Sequence, residues 1–199
     1  MTLVASMAVS FALVVLGWWL GRNLNEIPTG KQHVAELVVL FFKDLLVDML
    51  GDRWRGYYAF VATIGIYVAA ANLVGVLPGV VAPTSDLSVP AALAFMVFLV
   101  AQSSGIKTKG LSRYLREFIE PIPILFPLNL IGTLVKPVSH AFRLFGNMVG
   151  GVILIGVISQ IARFAVPVPL LGWFNLFMGV VQAFVFTLLA AAYIGETMQ

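Results

Sequence analysis

The chain has 199 residues, of which 60% are apolar or aromatic and 11% charged, with no cysteine, a net charge of +3 and a mean hydropathy of +0.99. Soluble domains hold about 45–50% apolar and about 25% charged residues, so 12 basic and 9 acidic side chains are too few to coat a water-soluble globule of this size. A disordered chain, a disulfide scaffold and a nucleic-acid binder are excluded with it, and an integral membrane protein is left.

A helix of about 20 residues crosses a hydrocarbon layer of about 30 Å. The first uncharged run, Thr2–Gly21, lacks the basic leader and small-residue cleavage site of a signal peptide and ends on Trp18, Trp19 and Arg22. Residues 1–22 are therefore read as a retained transmembrane helix. Residues 30–52 carry His33, Glu36, Lys43, Asp44, Asp48 and Asp52 at helical spacing, with Val38, Val39, Phe41, Phe42, Leu45, Leu46 and Met49 between them. That pattern predicts an amphipathic helix on the cytoplasmic membrane surface, lipid on one face and water on the other, started by Pro28 and Thr29 and ended by Gly51. Residues 56–106 hold two further apolar runs, Gly56–Ser85 and Leu87–Ile106, and are read as a transmembrane hairpin.

Residues 120–196 form a second hairpin. Pro121–Ala162 spans 42 residues, about 63 Å as one helix, and Phe164–Gly195 would reach about 48 Å by the same rise of about 1.5 Å per residue. Both exceed the bilayer, so strong tilt, kinks or breaks are expected, with Pro121, Pro123, Pro127 and Pro137 as break points. Gly132, Gly146, Gly150 and Gly151, with Ala141, leave a low-bulk strip that permits close approach of another helix. The expected fold is all-α: one polytopic membrane domain over 1–199, with about five transmembrane helices, a surface helix, and the last two helices long and tilted.

Lysine and arginine set the orientation. Five lie between Arg22 and Arg55, none between Pro78 and Leu87, and four between Lys107 and Arg116. The positive-inside rule places the first and third groups in the cytoplasm, the segment Pro78–Asp86 and the N-terminus outside, and Glu196 with the C-terminus inside.

Arg143 is followed by 19 uncharged residues, so any helix through it holds a guanidinium within the membrane. Such a charge costs about 2.5 to 17 kcal/mol depending on method and nearly always faces a protein interior or a water-filled cavity. Arg163, beside Pro167 and Pro169, fits a residue snorkelling at the interface instead. Ser139 and His140 lie four and three residues before Arg143, Asn147 four after and Lys136 seven before, so they share one helical face as a water-lined stripe. On the last helix Asn175, Gln182 and Glu196 are 7 and 14 residues apart, again on one stripe, and Gln182 opposite Arg143 would satisfy both groups. The residues that would carry ions are thus Arg143, Gln182, Asn147, Ser139, His140, Asn175 and Glu196. No catalytic triad, phosphate loop or metal pattern occurs, and no cofactor or covalent chemistry is expected.

The string Lys136-Pro137-Val138-Ser139-His140-Ala141-Phe142-Arg143-Leu144-Phe145-Gly146-Asn147-Met148 resembles the arginine helix of the subunit a family of the F-type ATP synthase membrane sector. Asn72–Pro78, Pro83–Leu87, and Gln182–Leu189 running into Ala192–Glu196 agree in the family's order. The resemblance implies a stator that faces the c-ring, joins the subunit b peripheral stalk and the other ATP synthase subunits, and sits in a bacterial plasma membrane or an equivalent energy-coupling membrane. Arg143 would attract each ring carboxylate and block a leak between two offset half-channels, with Gln182 opposite it and Asn147 one turn on. Proton transport is the default and Na⁺ the alternative.

Three positions depart from the family. A common glutamate nine residues after the arginine is Val152 here, a histidine or carboxylate seven before the glutamine is Asn175, and an upstream acid pair is replaced within Asn129-Leu130-Ile131-Gly132-Thr133. These neutral positions weaken a side-chain proton relay and bring forward water wires or Na⁺ held by Asn, Ser and Thr oxygens. The family's leader before its first helix is also usually longer than the one residue preceding Thr2. A stand-alone secondary transporter would show internal repeats, and Thr2–Ala82 and Leu87–Ala162 share none; a passive scaffold would leave Arg143 unexplained.

Overall fold

The computed structural model describes residues 2–22, 30–76, 80, 82–118, 124, 126–161 and 172–198, with the side chains of Lys31, Ile161, Phe174 and Asn175 outside that description. Among the described residues the architecture is all-helical: α1 (Thr2–Leu20), α2 (Lys31–Leu50), a 3-10 turn (Gly51–Gly56), α3 (Tyr58–Val74), a short 3-10 turn (Pro83–Ser85), α4 (Ser88–Lys109), α5 (Leu111–Glu117), α6 (Phe126–Ile161), a π-helical turn (Gly172–Phe177) and α7 (Met178–Met198). Helices α1, α4, α6 and α7 are long and apolar enough to cross a membrane, and α3 is a shorter apolar helix of 17 residues. The chain is a multi-pass membrane protein.

Helix α7 is the hub. Its Ala183, Phe186 and Ala190 pack with Val68 of α3, Leu93 and Val97 of α4 and Leu144 of α6, and its Ala191 and Ile194 with Leu46 of α2, Val61 of α3 and Ala101 of α4. Alanines along this helix let its neighbours approach closely, and dispersion contacts rather than expulsion from water hold helices together in lipid.

The second helix is bound more tightly to protein than its pattern predicts. Phe42, Leu46 and Leu50 are buried, while Leu37, Val38 and Phe41 remain exposed. The reason lies at Gly65, where a Cβ would stand 2.5 Å from Thr187 Oγ1 and 2.7 Å from Phe42 Cε1. Only a glycine there allows α2 to reach across α3 to α7. The helix ends where expected, at Gly51, whose φ of +56° favours glycine; Pro28 and Thr29, its expected start, lie outside the described residues.

Helix α1 is almost bare, with Leu3, Val4, Met7, Phe11 and Val14 exposed and Val9 alone buried. Its N-terminal end is pinned by polar bonds: the Thr2 hydroxyl donates to Asp86 Oδ2 at 2.7 Å, and Ser6 Oγ and Tyr67 Oη lie 2.6 Å apart. Its other end carries Arg22 stacked 4.3 Å over Trp18, as an interfacial anchor should.

The turn after α3 is fastened to α7 through buried polar groups. Asn72 donates to the Gly179 carbonyl at 2.9 Å, and the Thr84 hydroxyl donates to Asn72 Oδ1 at 2.6 Å, with Asn72 and Thr84 fully buried. In a low-dielectric interior such groups are stable only when paired.

Helix α6 runs for 36 residues with Pro137 inside it. At about 1.5 Å per residue it is about 54 Å long, so it cannot stand upright in a layer of about 30 Å. Pro137 has no N–H to donate to the Thr133 carbonyl, which interrupts the ladder there. Pro127 sits harmlessly in the first turn. The second long helix is shorter than its uncharged run, being the six-residue π-helical turn followed by the 21 residues of α7; Pro121, Pro123, Arg163, Pro167 and Pro169 lie outside the described residues.

Candidate functional site

Helices α6 and α7 meet as an antiparallel seam closed by a polar clasp at each end. At one end Asn147 Nδ2 donates to Gln182 Oε1 at 2.7 Å, with Gln182 buried. At the other, Lys136 Nζ donates to Glu196 Oε1 at 2.5 Å, both side chains part-exposed. Between the clasps His140 lies against α7, its ring 3.8 Å from the Phe186 ring edge-on and 5.6 Å from that of Tyr193. Only 2% of His140 is exposed, and among the described residues neither ring nitrogen has a hydrogen-bond partner.

Arg143 is on another side of the same helix. Its side chain is exposed, and among the described residues no hydrogen bond or ion pair engages it. Gly132, Gly146 and Gly150, within 60° of Arg143 around the helix at about 100° per residue, have no atom within 4 Å of where a Cβ would sit. Ser139 and Val152 are exposed as well, together with Val138 and Phe142. The result is an arginine on an open strip of low bulk.

Two sequence expectations change here. The polar stripe around Arg143 is divided: Arg143 and Ser139 face outward, Asn147 is half-buried, and His140, offset about 60° by its three-residue spacing, is turned inward onto Phe186. Gln182 pairs with Asn147 rather than with Arg143. The antiparallel register sets Gln182 one helical turn beyond the arginine, where an amide can satisfy it without a guanidinium. The Asn175 side chain lies outside the described residues.

A cavity of about 430 Å³ opens between α4, α5, the first half of α6 and the end of α7, lined among others by Gln102, Lys109, Tyr114, Lys136, His140 and Glu196. Its charges are paired: Lys109 Nζ donates to Glu117 Oε2 at 2.6 Å, and Lys136 to Glu196. The Tyr114 hydroxyl donates to Gln102 Oε1, and burial, followed by the charge of Glu117, pushes the Tyr114 phenol above its ordinary range. On the opposite side of the bundle the hydroxyl of Thr2, with the N–H and hydroxyl of Ser88, holds the Asp86 carboxyl below its ordinary range. Sequence reading missed the cavity and the Lys136–Glu196 clasp, because both depend on which turn of α6 meets which turn of α7. The available signal was that Lys136 and Glu196 each close a polar stripe.

Comparison with known proteins identifies the chain's relatives. The ATP synthase A chain family matches residues 2–195. ATP synthase subunit a of Moorella thermoacetica is 43% identical over 175 residues, 88% of this chain and 80% of that one. A subunit a of a Bradyrhizobium strain is 36% identical over 96% of this chain and 86% of its own length. The subunit a of Propionigenium modestum described as sodium ion specific is 30% identical over 97% of this chain and 72% of its own. With matches of this extent, the chain belongs to the ATP synthase A chain family, the non-catalytic integral-membrane subunits of the F-type ATP synthase.

Proposed function

We propose that this subunit is the stationary wall of a rotary motor, acting as one integral-membrane domain in which Arg143 faces the ring of c subunits. The reading rests on one observation: Arg143 lies exposed, with no hydrogen-bond or ion-pair partner among the described residues, on a glycine-lined strip of a helix long and apolar enough to cross the membrane. A bare guanidinium in lipid is too costly to persist, so a partner surface with carboxylates supplies its counter-charge. At 4 Å the attraction is about 4 kcal/mol for an effective dielectric of 20. That is strong enough to draw a ring carboxylate free of its ion and weak enough to release it when the next arrives. Two offset half-channels, one on either side of Arg143, then force an ion to ride the ring rather than slip across. Moving one charge through 100 mV yields about 2.3 kcal/mol, so several ions pass per ATP made in the soluble head. Subunit b and the other stationary subunits hold this wall against the torque.

The cavity beside α5 is the cytoplasmic half-channel in this reading. The N-terminus and Asp86 share the opposite, outward end, which is supported by the Thr2–Asp86 bond and by the lysine and arginine bias. The membrane is a bacterial plasma membrane or its equivalent. Proton transport is the default and Na⁺ the alternative; each carboxylate of the cavity, Glu117 and Glu196, has its charge offset by a lysine, which weakens both as ligands for a bare cation. Asn147, Gln182 and Ser139 line the approach to Arg143 in this reading.

The test is Arg143→Ala in the assembled complex. ATP-driven pumping is abolished while ATP hydrolysis by the soluble head continues and passive ion leak rises; pumping at the parental rate would remove the assignment.

A further inference from the structure

We propose that the turn between α4 and α5 is a docking site for the headgroup of an anionic phospholipid. From Lys107 to Glu120 the chain carries four basic residues, Lys107, Lys109, Arg113 and Arg116, against the two acids Glu117 and Glu120; Glu120 lies outside the described residues. The segment sits where α4 leaves the membrane. The 22 residues of that helix, with Lys107 and Lys109 in the last turn, reach about 33 Å at about 1.5 Å per residue, just beyond a hydrocarbon layer of about 30 Å.

Packing holds this cluster in one shape. Gly110, at φ +81°, turns the chain at the end of α4, and α5 folds back along it. Tyr114 is buried and its hydroxyl donates to Gln102 Oε1. The ring fits because residue 105 is glycine, where a Cβ would stand 3.0 Å from Tyr114 Cε2. Lys109 Nζ closes the turn by donating to Glu117 Oε2 at 2.6 Å. Arg113 and Arg116 are left exposed, three residues apart and so neighbours on α5, and Arg113 has no hydrogen-bond or ion-pair partner among the described residues. A hollow of about 580 Å³ opens here, lined among others by Lys109, Ser112, Arg113, Arg116 and Glu117. It lies apart from the seam of α6 and α7, and neither arginine lines the cavity of about 430 Å³.

The chemistry of the hollow selects its occupant. A guanidinium presents a planar fork that matches two oxygens of a phosphate, and the Ser112 hydroxyl is a further donor. Lys109 offsets Glu117, so the lining keeps a net positive charge. A zwitterionic headgroup would bring its own ammonium against the arginines, whereas an anionic one adds no cation. Leu111 and Leu115, 58% and 54% exposed, lie one turn apart on the other side of α5 from the arginines. A free phosphate has no use for that face; a phospholipid covers it with acyl chain while its phosphate meets the arginines, the arrangement of a short amphipathic helix lying in the membrane surface. Basic residues near such a surface attract anionic lipid individually, and the fixed turn gathers several at one headgroup.

The experiment uses the whole complex in phosphatidylcholine vesicles doped sparingly with phosphatidylglycerol that bears a photoreactive diazirine beside its headgroup. After irradiation and digestion, adducts on residues 107–117 are quantified by mass spectrometry against adducts elsewhere on the same subunit. The parent is expected to label in this segment. Excess unlabelled phosphatidylglycerol should remove the label, and the same excess of phosphatidylcholine or of inorganic phosphate should not. Arg113→Gln should lower the labelling about fivefold, the worth of one basic residue near an anionic surface, and Arg113→Lys, which keeps the charge, should label above Arg113→Gln. An unlabelled segment in the parent, equal competition by phosphatidylcholine, removal of the label by inorganic phosphate, or parental labelling in Arg113→Gln each overturns the proposal. The competition arms need no variant, so the test stands if a substitution impairs assembly. No arm depends on Arg143 or on the ion carried.

Discussion

The bond between Asn147 and Gln182 can be isolated by a double-mutant cycle that also tests whether Arg143 shares it. The variants are Asn147→Leu, Gln182→Leu and the pair. Gln182 is only 4% exposed, so Asn147→Leu leaves its amide oxygen buried and unsatisfied, a loss of about 1–3 kcal/mol. Gln182→Leu leaves the half-buried Asn147 amide in a similar state. The double variant removes both polar groups, so its loss should fall short of the sum of the two single losses. The coupling expected for a hydrogen bond between membrane helices averages about 0.6 kcal/mol and reaches about 1.7 kcal/mol, which is a factor of about 3 to 18 in an equilibrium constant. Unfolding of the chain in mixed micelles, titrated with denaturing detergent and read by tryptophan fluorescence, measures each corner. A parallel cycle of Arg143→Leu with Gln182→Leu should be additive. Additivity at Asn147 and Gln182, or a larger coupling between Arg143 and Gln182, would refute the seam.

Further expectations concern other parts of the molecule. Gly65→Ala forces a Cβ against Thr187 and Phe42 and should destabilise by about 1–3 kcal/mol as overpacking, visible as lower yield of assembled complex. Lys136→Ala should change stability by no more than about 1 kcal/mol, since the pair with Glu196 is part-exposed, yet it should alter ion flux, and the charge swap Lys136→Glu with Glu196→Lys should restore that flux. Asp86 has a carboxyl held below its ordinary range by Thr2 and Ser88, so its contribution is present above the unfolded value and is lost as pH falls through the folded one. Asp86→Asn should therefore lower stability near neutral pH and flatten its decline on acidification, measured as the pH dependence of detergent unfolding. Tyr114, raised by burial, contributes below its unfolded value and loses that contribution as pH rises through the folded one, so Tyr114→Phe should flatten the alkaline decline.

Most of the architecture was legible because lipid leaves so few choices: an uncharged run of sufficient length must close its own backbone hydrogen bonds as a helix. Arg143 was legible for the same reason, as a charge where charges are expensive. What the sequence could not supply was the rotation of each helix about its axis and its register against the next. His140 and Arg143 are three residues apart and share a stripe on paper, but their angular offset places one beneath Phe186 and the other outside. Gln182 was placed opposite the correct helix and one turn away from its actual partner. Gly65 carried no periodic signal at all; its role depends on two side chains from α2 and α7 meeting over one backbone atom.

The central claim is that this chain couples proton flow to the rotary motor through Arg143 and a cytoplasmic water-filled cavity. Its most direct test is ATP-driven acidification of inverted vesicles containing the whole complex, read with a pH-sensitive dye in sodium-free buffer and again after sodium is added. Prompt acidification without sodium is expected, with no gain on its addition. Absence of acidification, together with sodium uptake that an uncoupler accelerates, would contradict it and assign the channel to Na⁺.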